Sequence, residues 1–339
     1  MAETTGFCDP IRINAFFGGQ RVPQARQDSQ MTKTRHLPGL IAVTVSLIAA
    51  GAAWAQDLPI IGRPVDKLMG FQPASTELAA DAQWLDHFIL IIIAVITVFV
   101  TGLLIYCIVR FNERKNPKPA TFTHNSPLEI AWTAVPIIIL VVIGAFSLPV
   151  LFKQQEIPLA DITIKATGNQ WYWNYEYVDD GVTEDASLVN FDSYMIGAPA
   201  TGGDNRLTPA VEAQLVEAGY SRDEFLLATD TAIVIPIGKT IVMQVTGADV
   251  IHSWKIPAFG VMQDAVPGRL AQLWFKAERE GIYFGQCSEL CGQAHAYMPI
   301  TVKVVSEPVY AKWLESAKAG NVLLSSNAAI NNLTVAAAD

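Results

Sequence analysis

The side chains best suited to chemistry crowd into residues 285–298, GQCSELCGQAHAYM. Cys287, Cys291, His295 and Met298 fall within twelve residues at the spacing C-x-x-x-C-x-x-x-H-x-x-M. Thiolate and thioether sulfur are soft ligands and imidazole is borderline, so the set favours copper or zinc over magnesium or calcium. A structural zinc site takes four Cys or His ligands and has little use for Met. A weak Met ligand beside Cys and His marks electron-transfer copper. A mononuclear blue-copper site needs one Cys, and here two sit on one loop. Two thiolates can bridge two copper ions, with His295 serving one ion and Met298 the other. A second imidazole is then required. Of the five His, His36 follows a basic front near the N-terminus, and His87 and His124 border long apolar runs. That leaves His252, in ADVIHSWKIP. Two rival readings stand beside this one. The cysteines can form a disulfide in an oxidising compartment, or C-x-x-x-C can be a redox or copper-chaperone motif. The latter needs βαβ flanks, and the flanks here read as strands.

The loop has to be held somewhere, and the mean hydropathy of +0.29 points first to a membrane. Residues 88–109 and 130–152 carry no charge. Each is long enough as a helix to cross a hydrocarbon core of about 30 Å. Pro136 and Pro149 are tolerable in a transmembrane helix. An earlier apolar run, MTKTRHLPGLIAVTVSLIAAGAAWAQ, has a basic front and ends in Ala53-Trp54-Ala55. It is expected to be a signal peptide over 31–55, cut after Ala55, with Met31 as the true start and 1–30 a mis-assigned extension that includes Cys8. Residues 56–86 then form an N-terminal segment on the outer side, and 87–152 a helical hairpin. Arg110, Arg114, Lys115 and Lys118 against Glu113 and Glu129 place the connecting loop in the cytoplasm. Cys107, in the first span, is expected to be a small apolar packing residue.

Residues 153–339 carry 22 acids against 12 Lys and Arg. Such a surface suits a basic partner and not a nucleic acid. Short β-branched and aromatic runs punctuated by Gly, Pro and Asp, such as DITIKATGNQWYWNYEYV and MPITVKVVS, predict an all-β sandwich or small barrel over 153–316. An insertion at about 195–230 is expected to place one surface helix on a loop, with Thr208 as cap, Pro209 first and Gly219 as stop. EPVYAKWLESAKAG reads as a short terminal helix. Residues 317–339 are expected to be a disordered tail.

Residues 56–316 resemble subunit II of cytochrome c oxidase. The resemblance rests on QWYWNYEY, FDSYM, VIHSW, DAVPGRL, GQCSELCGQAH and YMPI, and the insertion after FDSYM looks like that of α-proteobacterial forms. It implies a two-helix transmembrane hairpin plus an all-β cupredoxin-like Greek-key sandwich. It also implies a dinuclear copper centre, CuA, bridged by Cys287 and Cys291. His252 and Met298 would complete one copper, and His295 and the Glu289 carbonyl the other. The Glu289 side chain would reach a magnesium or manganese ion shared with subunit I, a hard ion suited to an oxygen ligand. Trp171 would take the electron from cytochrome c, although WYW also reads as strand packing in which Trp173 has no further role. Asp192 and Asp249 match docking positions for cytochrome c. Ala248 and Asn169 depart from residues found there in some members. Glu129 would mark the mouth of a proton path to subunit I, with His124 nearby. SPLE also explains Glu129 as part of a capping box with Ser126 as N-cap. The implied activity is electron delivery, through CuA and haem in subunit I, to oxygen reduction coupled to proton pumping. The implied setting is a bacterial inner membrane with the C-terminal domain in the periplasm and further oxidase subunits as partners. The chain has no C-x-x-C-H haem-attachment motif, so oxygen chemistry would lie in subunit I. A quinol oxidase subunit would lack Cys287 and Cys291, nitrous oxide reductase would need a propeller domain, and a tethered copper chaperone would bind a single Cu(I).

Overall fold

A computed structural model describes residues 58–118, 120–178 and 187–322. The expected extension, the signal peptide with its cleavage site, and most of the expected tail lie outside the described residues. Two long helices dominate the first half, α1 (Glu77–Arg110) and α2 (Ser126–Gln155). Their most apolar windows have mean hydropathies of 3.1 and 2.7, and none of either window is buried within the chain. Val98 and Val141 are 74% and 66% exposed, a surface that lipid covers far more cheaply than water. Cys107 is likewise exposed on α1 rather than packed inside the chain. Where the helices touch, Phe146 meets Trp84 and Phe88 edge-on at 5.8 and 5.1 Å between ring centroids.

Both helix starts differ from expectation. α1 begins at Glu77, well before the apolar run, because Thr76 caps it by accepting a hydrogen bond from Ala79 N at 3.0 Å. Hydropathy does not register this polar first stretch, but a good cap and helix-forming residues sustain it. α2 is capped by Asn125, not Ser126. Asn125 Oδ1 accepts from Leu128 N, and Glu129 Oε1 accepts from Asn125 N at 3.1 Å. Asn caps as well as Ser, so the reciprocal bonding survives with the register moved by one residue.

The second half is the expected cupredoxin-like sandwich. One sheet orders β1 (Ile60–Gly62), β10 (Gly281–Gln286), β11 (Pro299–Val305) and β5 (Ile233–Pro236). The other orders β4 (Ser187–Ser193), β3 (Tyr172–Val178), β2 (Ile162–Asn169), β6 (Thr240–Gly247) and β9 (Ala271–Lys276). A separate pair joins β7 (His252–Ile256) to β8 (Val261–Ala265). Alternation sets the core: Trp173, Tyr175 and Tyr177 on β3 are buried while their neighbours are only partly so. Helix α4 (Glu307–Lys318) closes one end, with Trp313 buried 5.2 Å from the Tyr177 ring. It runs two residues into the stretch expected to be tail.

β1 lies before the hairpin in sequence yet pairs in parallel with β10. The segment behind it is stitched to the sandwich as well: Ser75 N donates to Ala258 O at 2.9 Å and Thr76 Oγ1 to Phe259 O at 2.7 Å. At the same end, Lys153 of α2 bridges Glu77 and Asp81 of α1, both at 2.6 Å.

The insertion has the expected helix α3 (Pro209–Glu217), capped by Thr208. It is not a loose surface loop, however. Val211, Leu215, Tyr220 and Ala228 are buried in the main core. Tyr220 covers the buried Lys303, whose Nζ lies 5.5 Å from the ring centroid. The buried Glu224 accepts from Arg63 at 2.8 Å and from Ser221 Oγ at 2.6 Å. Burial raises its carboxyl pKa, but the Ser221 and Arg63 contacts outweigh that and hold it below the ordinary carboxylate range. A depressed folded pKa contributes stability that is present above the unfolded value, about 4.3, and lost as pH falls through the folded one. Glu224→Gln should therefore cost about 1.5–3 kcal/mol at neutral pH. It should also flatten the acid limb of stability against pH, measured by chemical unfolding.

Candidate metal centre

Several strand termini converge on the ligand loop. β10 and β11 are antiparallel neighbours, with Gln286 opposite Pro299, and the loop 287–298 is the turn between them. This register sets Cys287 beside Met298, whose carbonyl accepts from Cys287 N at 3.4 Å. Ser288 N donates to Ser253 O at 3.0 Å, which ties the loop to β7 and so to His252 at its first position. A short 3-10 turn, His295–Tyr297, folds the imidazole back toward the cysteines. The spacing read in the sequence is thus the length of one hairpin turn that returns on itself.

The donor atoms form a compact, mostly buried group. The Cys287 and Cys291 sulfurs are 4.0 Å apart. His252 Nδ1 lies 3.9 Å from Cys287 Sγ, and His295 Nδ1 lies 3.5 Å from Cys291 Sγ. Met298 Sδ lies 3.5 Å from Cys291 Sγ, and the Glu289 carbonyl 3.3 Å from Cys287 Sγ. Two ligands on one tetrahedral ion, at bond lengths of about 2.1–2.3 Å, stand about 3.5–3.8 Å apart. The separations here therefore suit shared ions, and the soft donor set suits copper. His252, Cys287, Cys291 and Met298 are all buried, so water competes little for the site.

The thiols do not ionise alike. Burial pushes Cys287 up, but its contacts to His252 and to the Ser253 backbone more than reverse this and bring it below the usual thiol value. Burial and the charge of Cys287 push Cys291 up to about 12. The two thiols thus differ in acidity, Cys287 lowered and Cys291 raised.

Trp171, half-buried, donates from Nε1 to the Cys291 carbonyl at 3.1 Å. Gln170 Nε2 donates to the same oxygen at 2.9 Å. The peptide bond between the two residues is cis. Trp173, two residues on, is fully buried with its ring centroid 6.0 Å from that of His252. Asp249 Oδ1 accepts from His252 Nε2 at 2.9 Å, and its Oδ2 from Gln170 N at 2.8 Å. Asp192 is exposed and accepts from Asn174 Nδ2 at 2.9 Å. Burial and the charges of Asp192 and Asp249 raise the Tyr172 phenol. The Glu289 side chain is exposed, unlike its carbonyl partner Cys287. Glu129 is far from this group. It sits in the first turn of α2, about 36 Å along the helix from Lys153 at a rise of about 1.5 Å per residue. It lines an open groove with Ile130, Thr133, Ala134 and Ile137.

Sequence reasoning missed Gln170 and Gly168. Gln170 bears no reactive group and acts through its amides, which leaves no chemical signature. Gly168 had a signal, a glycine inside a strand pattern, which marks close approach by another group. A Cβ there would lie 2.7 Å from His252 Cδ2 and 2.8 Å from Cγ. Gly168→Ala should therefore push the imidazole off its position. The expected outcome is an intact fold by circular dichroism with copper retention reduced about 10–100-fold.

Residues 64–150 match the transmembrane domain of cytochrome c oxidase subunit II, and residues 162–305 match its periplasmic domain. Cytochrome c oxidase subunit 2 of Cereibacter sphaeroides is 68% identical over 288 residues, which cover 85% of this chain and 91% of that one. The probable cytochrome c oxidase subunit 2 of Rickettsia bellii is 41% identical over 253 residues, covering 75% and 85%. Among solved structures, the periplasmic domain of subunit II of cytochrome oxidase from Bradyrhizobium japonicum is 44% identical. It covers 49% of this chain and 99% of its own, with a TM-score of 0.38. The family carries CuA, and the His252, Cys287 and Cys291 donor atoms, all within 4.8 Å of one another, can hold a metal. Both halves of the molecule, the helical hairpin and the sandwich with its ligand loop, lead to one conclusion: the chain belongs to the cytochrome c oxidase subunit II family, of the α-proteobacterial type, and is a subunit of a haem–copper oxidase.

Proposed function

We propose that this subunit receives single electrons from a cytochrome c at a dinuclear copper centre and passes them to subunit I, with the sandwich in the periplasm of a bacterium and the hairpin in its inner membrane. One observation carries the ligand assignment. Cys287 touches His252 and the Glu289 carbonyl, while Cys291 touches Met298 and His295. Each sulfur thus contacts one member of the pair expected on each copper, an arrangement suited to two bridging thiolates. Such a centre, when loaded, takes up and releases one electron shared over two ions.

The chain's own residues supply the surroundings. Burial excludes water from the sulfurs. The Trp171 indole forms a short hydrogen-bonded link from the surface to the backbone of Cys291, which supports it as the receiving group. The acids around it, Asp192 among them, suit a basic cytochrome c. The exposed Glu289 side chain is free to reach a magnesium or manganese ion at the boundary with subunit I. Glu129, at the opposite end of α2, serves as the mouth of a proton path while also capping the helix.

The test is an absorption and electron paramagnetic resonance spectrum of the copper-loaded protein. A purple mixed-valence signal with one electron spread over two copper nuclei is expected. A four-line mononuclear signal, or a colourless Cu(I) form, would overturn this reading in favour of a copper chaperone. Cys287→Ser should abolish the two-copper signal. Trp171→Ala should leave that signal in place and slow electron uptake from cytochrome c by at least an order of magnitude in stopped-flow. Copper loading should release protons and weaken as pH falls, because the metal must displace the thiol protons. Titration of copper retention against pH checks the sign.

A further inference from the structure

Asp249 resembles a docking acid by position, but its oxygens are already engaged inside the chain. Oδ1 accepts from His252 Nε2 at 2.9 Å and from its neighbour Val250 N at 2.6 Å. Oδ2 accepts from the backbone N–H of Gln170 at 2.8 Å. Gln170 and Trp171 in turn both donate to the carbonyl of Cys291. A continuous chain of hydrogen bonds results. It runs from His252 through Asp249 to the turn at Gln170–Trp171, and from that turn to Cys291. Its end residues, His252 and Cys291, both belong to the metal centre.

We propose that Asp249 is a positioning residue of the metal centre, holding His252 and the Trp171 turn in one clasp, whatever charge its exposed face also offers a partner. This rests on the copper reading above and deepens it. Its physical basis is twofold. A carboxylate that accepts from Nε2–H fixes the imidazole tautomer and leaves Nδ1, the atom facing Cys287, with the lone pair. It also makes that nitrogen a stronger donor, which favours the more oxidised metal. The second oxygen anchors the Gln170 backbone, so the indole next to it keeps its hydrogen bond to the ligand loop. A charge-assisted bond at each oxygen makes the clasp stiff.

The experiment uses the assembled oxidase carrying Asp249→Asn, Asp249→Ala or Asp249→Glu. Asn keeps at most one of the two bonds, since its amide would face one N–H donor with another. Ala removes both. Glu keeps the negative charge on the surface but moves the oxygens by a methylene. Four readouts separate the roles: the copper resonance spectrum, the midpoint potential of the centre, copper retention, and the salt dependence of cytochrome c oxidation. The positioning role predicts an altered spectrum and a raised potential in all three variants. It also predicts that copper affinity falls about 10–100-fold in the Ala variant. Asp249→Glu should fail to restore the wild-type signal although it restores the charge. A docking role alone would leave spectrum, potential and copper content as in the wild type, change only the salt dependence in Asn and Ala, and be rescued fully by Glu; that pattern would overturn the proposal. Absence of a two-copper signal from the unmutated oxidase would instead sink the copper reading itself, so the two failures are distinguishable.

Discussion

Two sulfurs 4.0 Å apart in a buried pocket set the terms for the rest of the domain. Two unit charges at that separation repel by about 4 kcal/mol even at an effective dielectric constant of about 20. Burial and the neighbouring sulfur push Cys291 up while the His252 and Ser253 contacts hold Cys287 below the usual thiol value, so positive charge beside the sulfurs favours ionising both. The fold cannot relieve the repulsion by letting the sulfurs drift apart, because both sit on one turn clamped by β10 and β11. The donors are therefore held close together before any metal arrives, which favours binding with little rearrangement.

The mechanical half comes from ordinary sandwich physics. The loop is closed by the last rung of an antiparallel pair, sewn to β7 by Ser288, and backed by aromatic residues that are fully buried. Gly292, at φ 120°, lets the loop pass close to the Trp171 indole, which a side chain there would crowd at 3.2 Å. His252 fits because Gly168 has no side chain. The site is thus shaped as much by two absent side chains as by the ligands.

What was legible in the sequence follows from which interactions are local. The spans were legible because lipid imposes a length and an uninterrupted apolar composition. The ligand loop was legible because its donors lie on one turn. β2, β3, β6 and β11 were legible through their short runs of β-branched and aromatic residues between Gly, Pro and Asp. β1 was not, being three residues, Ile60–Gly62, whose partner lies more than two hundred positions away. The packing of the insertion was hidden for a similar reason: α3 announced itself through its cap, but the burial of Val211 and Leu215 depends on a surface made by distant strands. The cap of α2 was misplaced by one residue because Asn125 and Ser126 are both good caps and local sequence does not rank them. Gln170 was invisible as a site residue because it contributes amide bonds, not a reactive group, whereas Gly168 carried only the general signal of a glycine inside a strand.

The β1–β10 pairing has a topological consequence. A strand that precedes both helices is hydrogen-bonded to a strand that follows them, so both must lie on the same side of the membrane the helices cross. Only an even number of crossings permits this. The small parallel pair therefore acts as a parity check on membrane insertion: a chain with one helix left out of the bilayer would strand β1 on the opposite face, and the sandwich would keep an open edge along β10. Completing this sheet and completing the hairpin are one event, separated by a long stretch of chain and hence slow by loop-closure entropy. The ligand loop hangs from β10 itself, so a correctly threaded membrane segment precedes a fully bordered metal site.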